Sequence, residues 1–148
     1  MTQDPVILGY LGRALSFELS AVQHYLSLAK LLELRGMPQA GEKFRHESLT
    51  EMEHVERLIG RMLALGVSPN SSCLKSPRLN GALPELIKHI SDLEGEIIKF
   101  YEQAVGYCSH RQDHENRIFF ALLLKDEQQH ATELNSWWQG VVAEEPIS

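Results

Sequence analysis

Four long stretches of this chain repeat apolar residues at three- and four-residue spacing, and a glutamate interrupts the stripe in each. That combination narrows the possible folds sharply. The spacing returns side chains to one face of an α-helix. A carboxylate on a face that packs inward is costly unless it is paired or metal-bound. No period-two run bounded by turn residues competes as a strand. The expected fold class is all-α, a four-helix bundle with acids facing its core.

The first helix is expected from about Asp4 to Arg35, with Asp4 as N-cap, Pro5 at the first helical position and Gly36 as its stop. Its stripe holds Ile7, Leu11, Leu15, Val22, Leu26 and Ala29. The second runs from Pro38 or Gln39 to Leu65, ends at Gly66, and carries Phe44, Val55, Leu58 and Met62. Residues 67–82, with Pro69, Asn70, Ser71, Ser72, Pro77, Asn80 and Gly81, have loop composition and form the longest connection. The third helix, Leu83 to Ser109, carries Ile87, Ile90, Ile97 and Tyr101. The fourth starts near Asp113, a plausible N-cap, ends near Gly140, and carries Phe120, Leu123, Leu124, Leu134 and Trp137. Residues 1–140 thus read as one bundle domain and 141–148 as a short tail, too short for another substantial helix.

Glu51-Met52-Glu53-His54 in helix two and Glu127-Gln128-Gln129-His130 in helix four are both E-x-x-H. Residues three apart share a helix face, so the glutamate and histidine of each motif can reach one ion. Glu18 in helix one and Glu94 in helix three break their own stripes. Glu18 to Glu51 and Glu94 to Glu127 are both 33 residues, so the chain reads as two helical hairpins that each supply a Glu and then an E-x-x-H. Four carboxylates in one core repel, and two divalent cations would balance them. Carboxylate and imidazole donors suit iron or manganese. Chance glutamates on solvated faces do not explain why these four interrupt the stripes while Glu53, Glu56, Glu96 and Glu102 do not.

The bulk numbers exclude several classes. A net charge of −6 gives no support to nucleic-acid binding. No apolar run approaches the roughly 20 residues of a membrane span. Met1-Thr2-Gln3-Asp4-Pro5 lacks the basic and apolar regions of a signal peptide, so a cytoplasmic location is expected. Cys73 and Cys108 form neither a CxxC pair nor a zinc pattern; free thiols fit that location, and a disulfide between them stays open.

At these residues the chain resembles a bacterioferritin, a member of the ferritin-like di-iron family with a long crossover between helices two and three. The matching segments are Val6-Ile7-Leu8-Gly9-Tyr10-Leu11, Glu18-Leu19, Tyr25, His46-Glu47-Ser48, Glu51-Met52-x-His54, Ala104-x-Gly106-Tyr107 and Asp126-Glu127-x-x-His130. The paired E-x-x-H favours this family over classical ferritins, which have one such motif. The resemblance implies a ferroxidase centre that oxidises Fe(II) with dioxygen or peroxide for iron storage and detoxification. In it Glu51 and Glu127 bridge two irons, Glu18 and His54 hold one, and Glu94 and His130 the other. It also implies a homo-oligomer of twofold dimers, extending to a 24-subunit shell. Bacterioferritins carry a short fifth helix after the bundle, and residues 141–148 are expected to be too short to form it, which bears on shell assembly. Two other functions stay open: a di-iron peroxidase or oxidoreductase that stores no iron, and a haem-binding structural subunit of a mixed shell.

Six further positions follow from the resemblance or sit beside it. Tyr25 lies seven residues after Glu18, about two turns on. It is either the tyrosine that the family places beside the di-iron centre or a core tyrosine. Met52 is rotated about 100° from Glu51, and the resemblance makes it a ligand to haem b shared by two chains. Leu19, Val22, Leu26, Leu49, Val55 and Ile59 would supply apolar surroundings. His46 corresponds to a cavity-facing iron ligand whose acidic companion is here Thr50, and it otherwise reads as a surface histidine. Asp126 reads as an outer acid, and Asp113 and Glu115 as capping and macrodipole residues.

Overall fold

The computed structural model describes residues 4–70 and 73–144. They form four helices: α1 (Pro5–Leu34), α2 (Pro38–Ala64), α3 (Leu83–His110) and α4 (His114–Glu144). There is no strand among the described residues.

The helix ends follow local chemistry. Asp4 caps α1, its carboxylate accepting from Val6 N at 2.9 Å, with Pro5 behind it. After α1 the chain turns through Gly36 at φ +77°, with Met37 N donating to Leu32 O at 2.8 Å. Gly66, at φ +78°, closes α2 the same way, with Val67 N bonded to Met62 O at 2.9 Å. The third such closure uses Gln112 at φ +55°, with Asp113 N bonded to Cys108 O at 2.9 Å. Asp113 then caps α4, accepting from Asn116 N at 3.2 Å.

Two contacts at opposite ends set the topology. Tyr107 near the end of α3 donates to Asp4 at the start of α1, and Arg35 after α1 donates to Gly81 O before α3. So α1 and α3 are antiparallel. Arg61 near the end of α2 reaches Glu115 and Asn116 at the start of α4, so α2 and α4 are antiparallel too. With α1–α2 and α3–α4 as hairpins, α2 and α3 run parallel, and their link must travel back along the bundle. A 27-residue helix is about 40 Å long, within reach of residues 65–82 when extended. The link runs along α1. Lys75 N donates to Ser20 Oγ at 2.9 Å, and Arg78 N to His24 Nε2 at 3.3 Å.

The apolar stripes close into one core that includes Leu11, Leu28, Phe44, Leu58, Ile87, Ile90, Phe120 and Leu123. Two expectations change. Leu26 is 39% exposed, and Tyr25 and Leu28 join the expected Ala29 on the inward face instead. Four residues from Val22 turn 40° past a full turn, which carries Leu26 off the core. Helix α4 also passes through Gly140 to Glu144. A helical glycine costs only about 1 kcal/mol, and Val141 packs on the core. Residues 145–148 of the expected tail, Met1–Gln3 of the N-terminal reading and Ser71–Ser72 of the loop lie outside the described residues. Cys108 is buried and Cys73 exposed, and both thiols are free.

Candidate metal centre

Glu18 of α1, Glu51 and His54 of α2, Glu94 of α3, and Glu127 and His130 of α4 converge at mid-bundle. None is more than 7% exposed. Glu53, Glu56, Glu96 and Glu102, which leave the stripes unbroken, are all exposed. The six buried side chains make two overlapping groups. Glu18, Glu51, His54 and Glu127 each offer a ligand atom within 4.8 Å of the others, and so do Glu51, Glu94, Glu127 and His130. Glu51 and Glu127 belong to both.

The histidines reach across the bundle more closely than along their own helices. His54 Nδ1 lies 2.8 Å from Glu18 and 2.8 Å from Glu127, but 3.3 Å from Glu51 of its own motif. His130 Nδ1 lies 2.9 Å from Glu51 and 3.8 Å from its own Glu127. The two rings stack with centroids 5.8 Å apart.

Two tyrosines brace the carboxylates reciprocally. Tyr25 of α1 donates to Glu94 of α3 at 2.9 Å, and Tyr101 of α3 donates to Glu18 of α1 at 3.2 Å. Tyr101 was legible only as a stripe residue. The signal was there, since Glu94 to Tyr101 repeats the seven residues from Glu18 to Tyr25. Burial, together with the nearby carboxylates, pushes both phenols well above their usual range.

Charge is crowded here. Burial, then the neighbouring carboxylates, holds Glu18 and Glu94 well above the usual carboxylate range, and burial also raises Glu127. Burial acts on Glu51 in the same sense, but hydrogen bonds from His130 and His54 outweigh it and hold Glu51 well below. Burial would depress both imidazoles. The carboxylates prevail instead, raising His54 far above its usual value and His130 to about 9.

The decisive feature is a set of oxygens without donors. Glu18 Oε1, Glu51 Oε2, Glu94 Oε2 and Glu127 Oε2 are buried and make no hydrogen bond. Such atoms are rare in native cores because each bears its full desolvation cost. Two divalent cations would engage all four and balance the four carboxylates, so the donor set fits a dinuclear site.

Around this centre, Asp126 Oδ2 lies 3.1 Å from His54 Nε2, and Arg57 holds Asp126 at 3.1 Å. Glu47, which the His46-Glu47-Ser48 match left without a role, has a buried unpartnered Oε2 lying 3.8 Å from His130 Nδ1. Exposed His46 lines a groove with Glu47 and Thr50 that reaches His130 of the six. Met52 lies off the centre and is 39% exposed, with Leu49 67% and Leu26 39% exposed. Glu115 pairs with Arg61 at 3.0 Å, tying α4 to α2.

Residues 8–141 match the ferritin-like domain, a span that includes all six side chains. The bacterioferritin of Rhodobacter capsulatus is 33% identical over 132 residues, 88% of this chain and 81% of its relative. That of Mycolicibacterium paratuberculosis is 31% identical over 130 residues, 88% of this chain and 82% of its relative. The chain belongs to the bacterioferritin family. The solved R. capsulatus bacterioferritin, described with a metal-free dinuclear site and a haem iron in a crystallographic special position, superposes with a TM-score of 0.89. It is 29% identical to this chain, and the match covers 94% of this chain and 87% of the R. capsulatus one. No helix among the described residues is long and apolar enough to cross a membrane.

Proposed function

We propose that this bacterioferritin-family chain is a ferroxidase of iron storage and detoxification, acting on two ferrous ions per chain. The observation that carries this reading is the pair of overlapping four-ligand groups sharing Glu51 and Glu127, lined by donorless carboxylate oxygens. The ions are substrate. Two electrons leave two Fe(II), reducing dioxygen to hydrogen peroxide, or peroxide to water, with protons from solvent.

The chain's own part is geometric and electrostatic. Glu18 and His54 serve one position, Glu94 and His130 the other, and Glu51 and Glu127 serve both. Tyr25 and Tyr101 tie down Glu94 and Glu18, so these carboxylates keep their orientation as charge changes from ferrous to ferric. Burial keeps bulk water away and strengthens each interaction. Work in the cytoplasm, and assembly from twofold dimers into a storage shell, belong to the same proposal.

Anaerobic ferrous titration followed by oxygen, read by absorbance and by mass, tests it. The parent should take up two irons per chain. Glu94→Ala should lose one of them and most of the oxidation rate. An unchanged rate in that variant sinks the assignment. Gel filtration after loading separates storage from a peroxidase role. Storage requires a shell-sized species retaining many irons per chain; a dimer retaining two supports the peroxidase.

Haem b shared between two chains, with Met52 as the ligand from each, completes the proposal. The supporting observation is an exposed thioether one helical turn from exposed Leu49, with Leu26 of α1 exposed as well, apolar surface able to close on a twofold mate. Thioether sulfur is a competent haem ligand. Met52→Leu should abolish haem uptake and leave ferrous oxidation nearly intact. Identical haem spectra with and without Met52 would remove this part of the proposal.

A further inference from the structure

The two halves of the centre are built from repeated motifs, yet their outer surroundings differ. In α4 the residue before the motif is Asp126, and in α2 it is Thr50. Asp126 reaches over to the histidine of the other motif, its Oδ2 3.1 Å from His54 Nε2. It is held there by Arg57 Nη2 at 3.1 Å, which also bonds Glu53 at 2.8 Å. Thr50 makes no equivalent reach. Its hydroxyl donates back to His46 O on its own helix at 3.4 Å. Thr50 and His130 line one groove of ≈ 270 Å³ between α2 and α4, which Arg57 and Asp126 also line. Among the described residues, no carboxylate hydrogen-bonds the outer nitrogen of His130.

We infer that Asp126, braced by Arg57, is a positioning residue for His54, and that the lack of a counterpart at Thr50 makes the His54 half the tighter of two unequal metal positions. The inference rests on the dinuclear reading above. An imidazole that gives its Nδ1 lone pair to a cation keeps its proton on Nε2. A carboxylate accepting that proton's hydrogen bond fixes the tautomer, locks the ring plane and makes Nδ1 a better donor. Arg57 prevents Asp126 from swinging into solvent, where it is half-exposed. The His130 ring lacks this brace and borders an open groove, so its orientation must be purchased from the binding energy of the cation itself.

Anaerobic cobalt titration tests this without turnover, reading the visible cobalt bands and the mass of bound metal. The parent should bind two cobalt ions in two resolvable steps. Asp126→Ala should weaken the tighter step roughly 10- to 100-fold, the usual cost of losing such a partner, and leave the weaker step in place. Asp126→Asn, which keeps an acceptor oxygen, should recover part of that loss. Thr50→Asp should tighten the weaker step. Circular dichroism and melting show that each variant is folded. The inference is overturned if the parent's steps are equal, if Asp126→Ala spares the tighter step or weakens both alike, or if Thr50→Asp leaves the weaker step unmoved. A parent that binds no cobalt overturns the dinuclear reading itself, a result distinguishable from all of these.

Discussion

His24 sits one residue before Tyr25 and faces outward to the crossover rather than inward to the acids. Its Nε2 accepts from Arg78 N at 3.3 Å, and its side chain is nearly buried. Burial favours the neutral ring and lowers its pKa below the usual 6.5. The unfolded chain therefore binds a proton that the folded chain refuses as pH falls through that range. The stability this residue contributes is complete above pH 6.5 and is lost as pH drops below it toward the folded value. His54 and His130 shift the other way, so only a comparison isolates His24. The denaturation midpoint of the parent should fall more between pH 7.5 and 5.5 than that of His24→Gln. Parallel curves for the two would refute the assignment. Single residues also mark where sequence reading works. Glu18 and Glu94 declare themselves because an acid inside an apolar stripe contradicts its neighbours. Asp126 does not, because its sequence position is that of an ordinary half-exposed acid, and only the fold carries it to His54.

Helix termini were legible where the residue type matches the backbone demand. Asp4-Pro5 opens α1, and Gly36 and Gly66 supply the left-handed turns that close α1 and α2. The end of α3 needs the same conformation and has Gln112, which no composition rule singles out. A side chain in that region bears strain of about 1–2 kcal/mol, offset in part by the lower unfolded-state entropy of a non-glycine residue. Gln112→Gly should therefore stabilise the chain, by up to about 1 kcal/mol. Urea denaturation checks this, and a lower midpoint for the glycine variant would contradict it. The converse error occurs at Gly140, where a glycine reads as a stop but the helix continues to Glu144.

For the whole molecule, a core that buries four carboxylates beside two imidazoles is a compromise. The imidazoles and three of the four carboxyls shift toward their protonated forms, which offsets charge that two divalent cations would offset better. Cations that bind only the folded state stabilise it by mass action. Cobalt or zinc at a hundredfold excess over Kd should raise Tm by roughly 5 °C or more. A Tm indifferent to either ion would count against a buried site. The sequence by itself determined the four helices, the long crossover and most of the inward faces, with Leu26 the exception, because helical periodicity and cap chemistry are local. It also named the six side chains of the centre, since residues three apart share a face in any helix. Only the tertiary structure decided which nitrogen meets which oxygen. Each E-x-x-H suggests a histidine paired with its own glutamate, yet His54 is nearer Glu18 and Glu127, and His130 nearer Glu51. That pairing depends on the relative rotation and crossing of α1, α2 and α4, which the packing of the whole core sets and no single helix encodes.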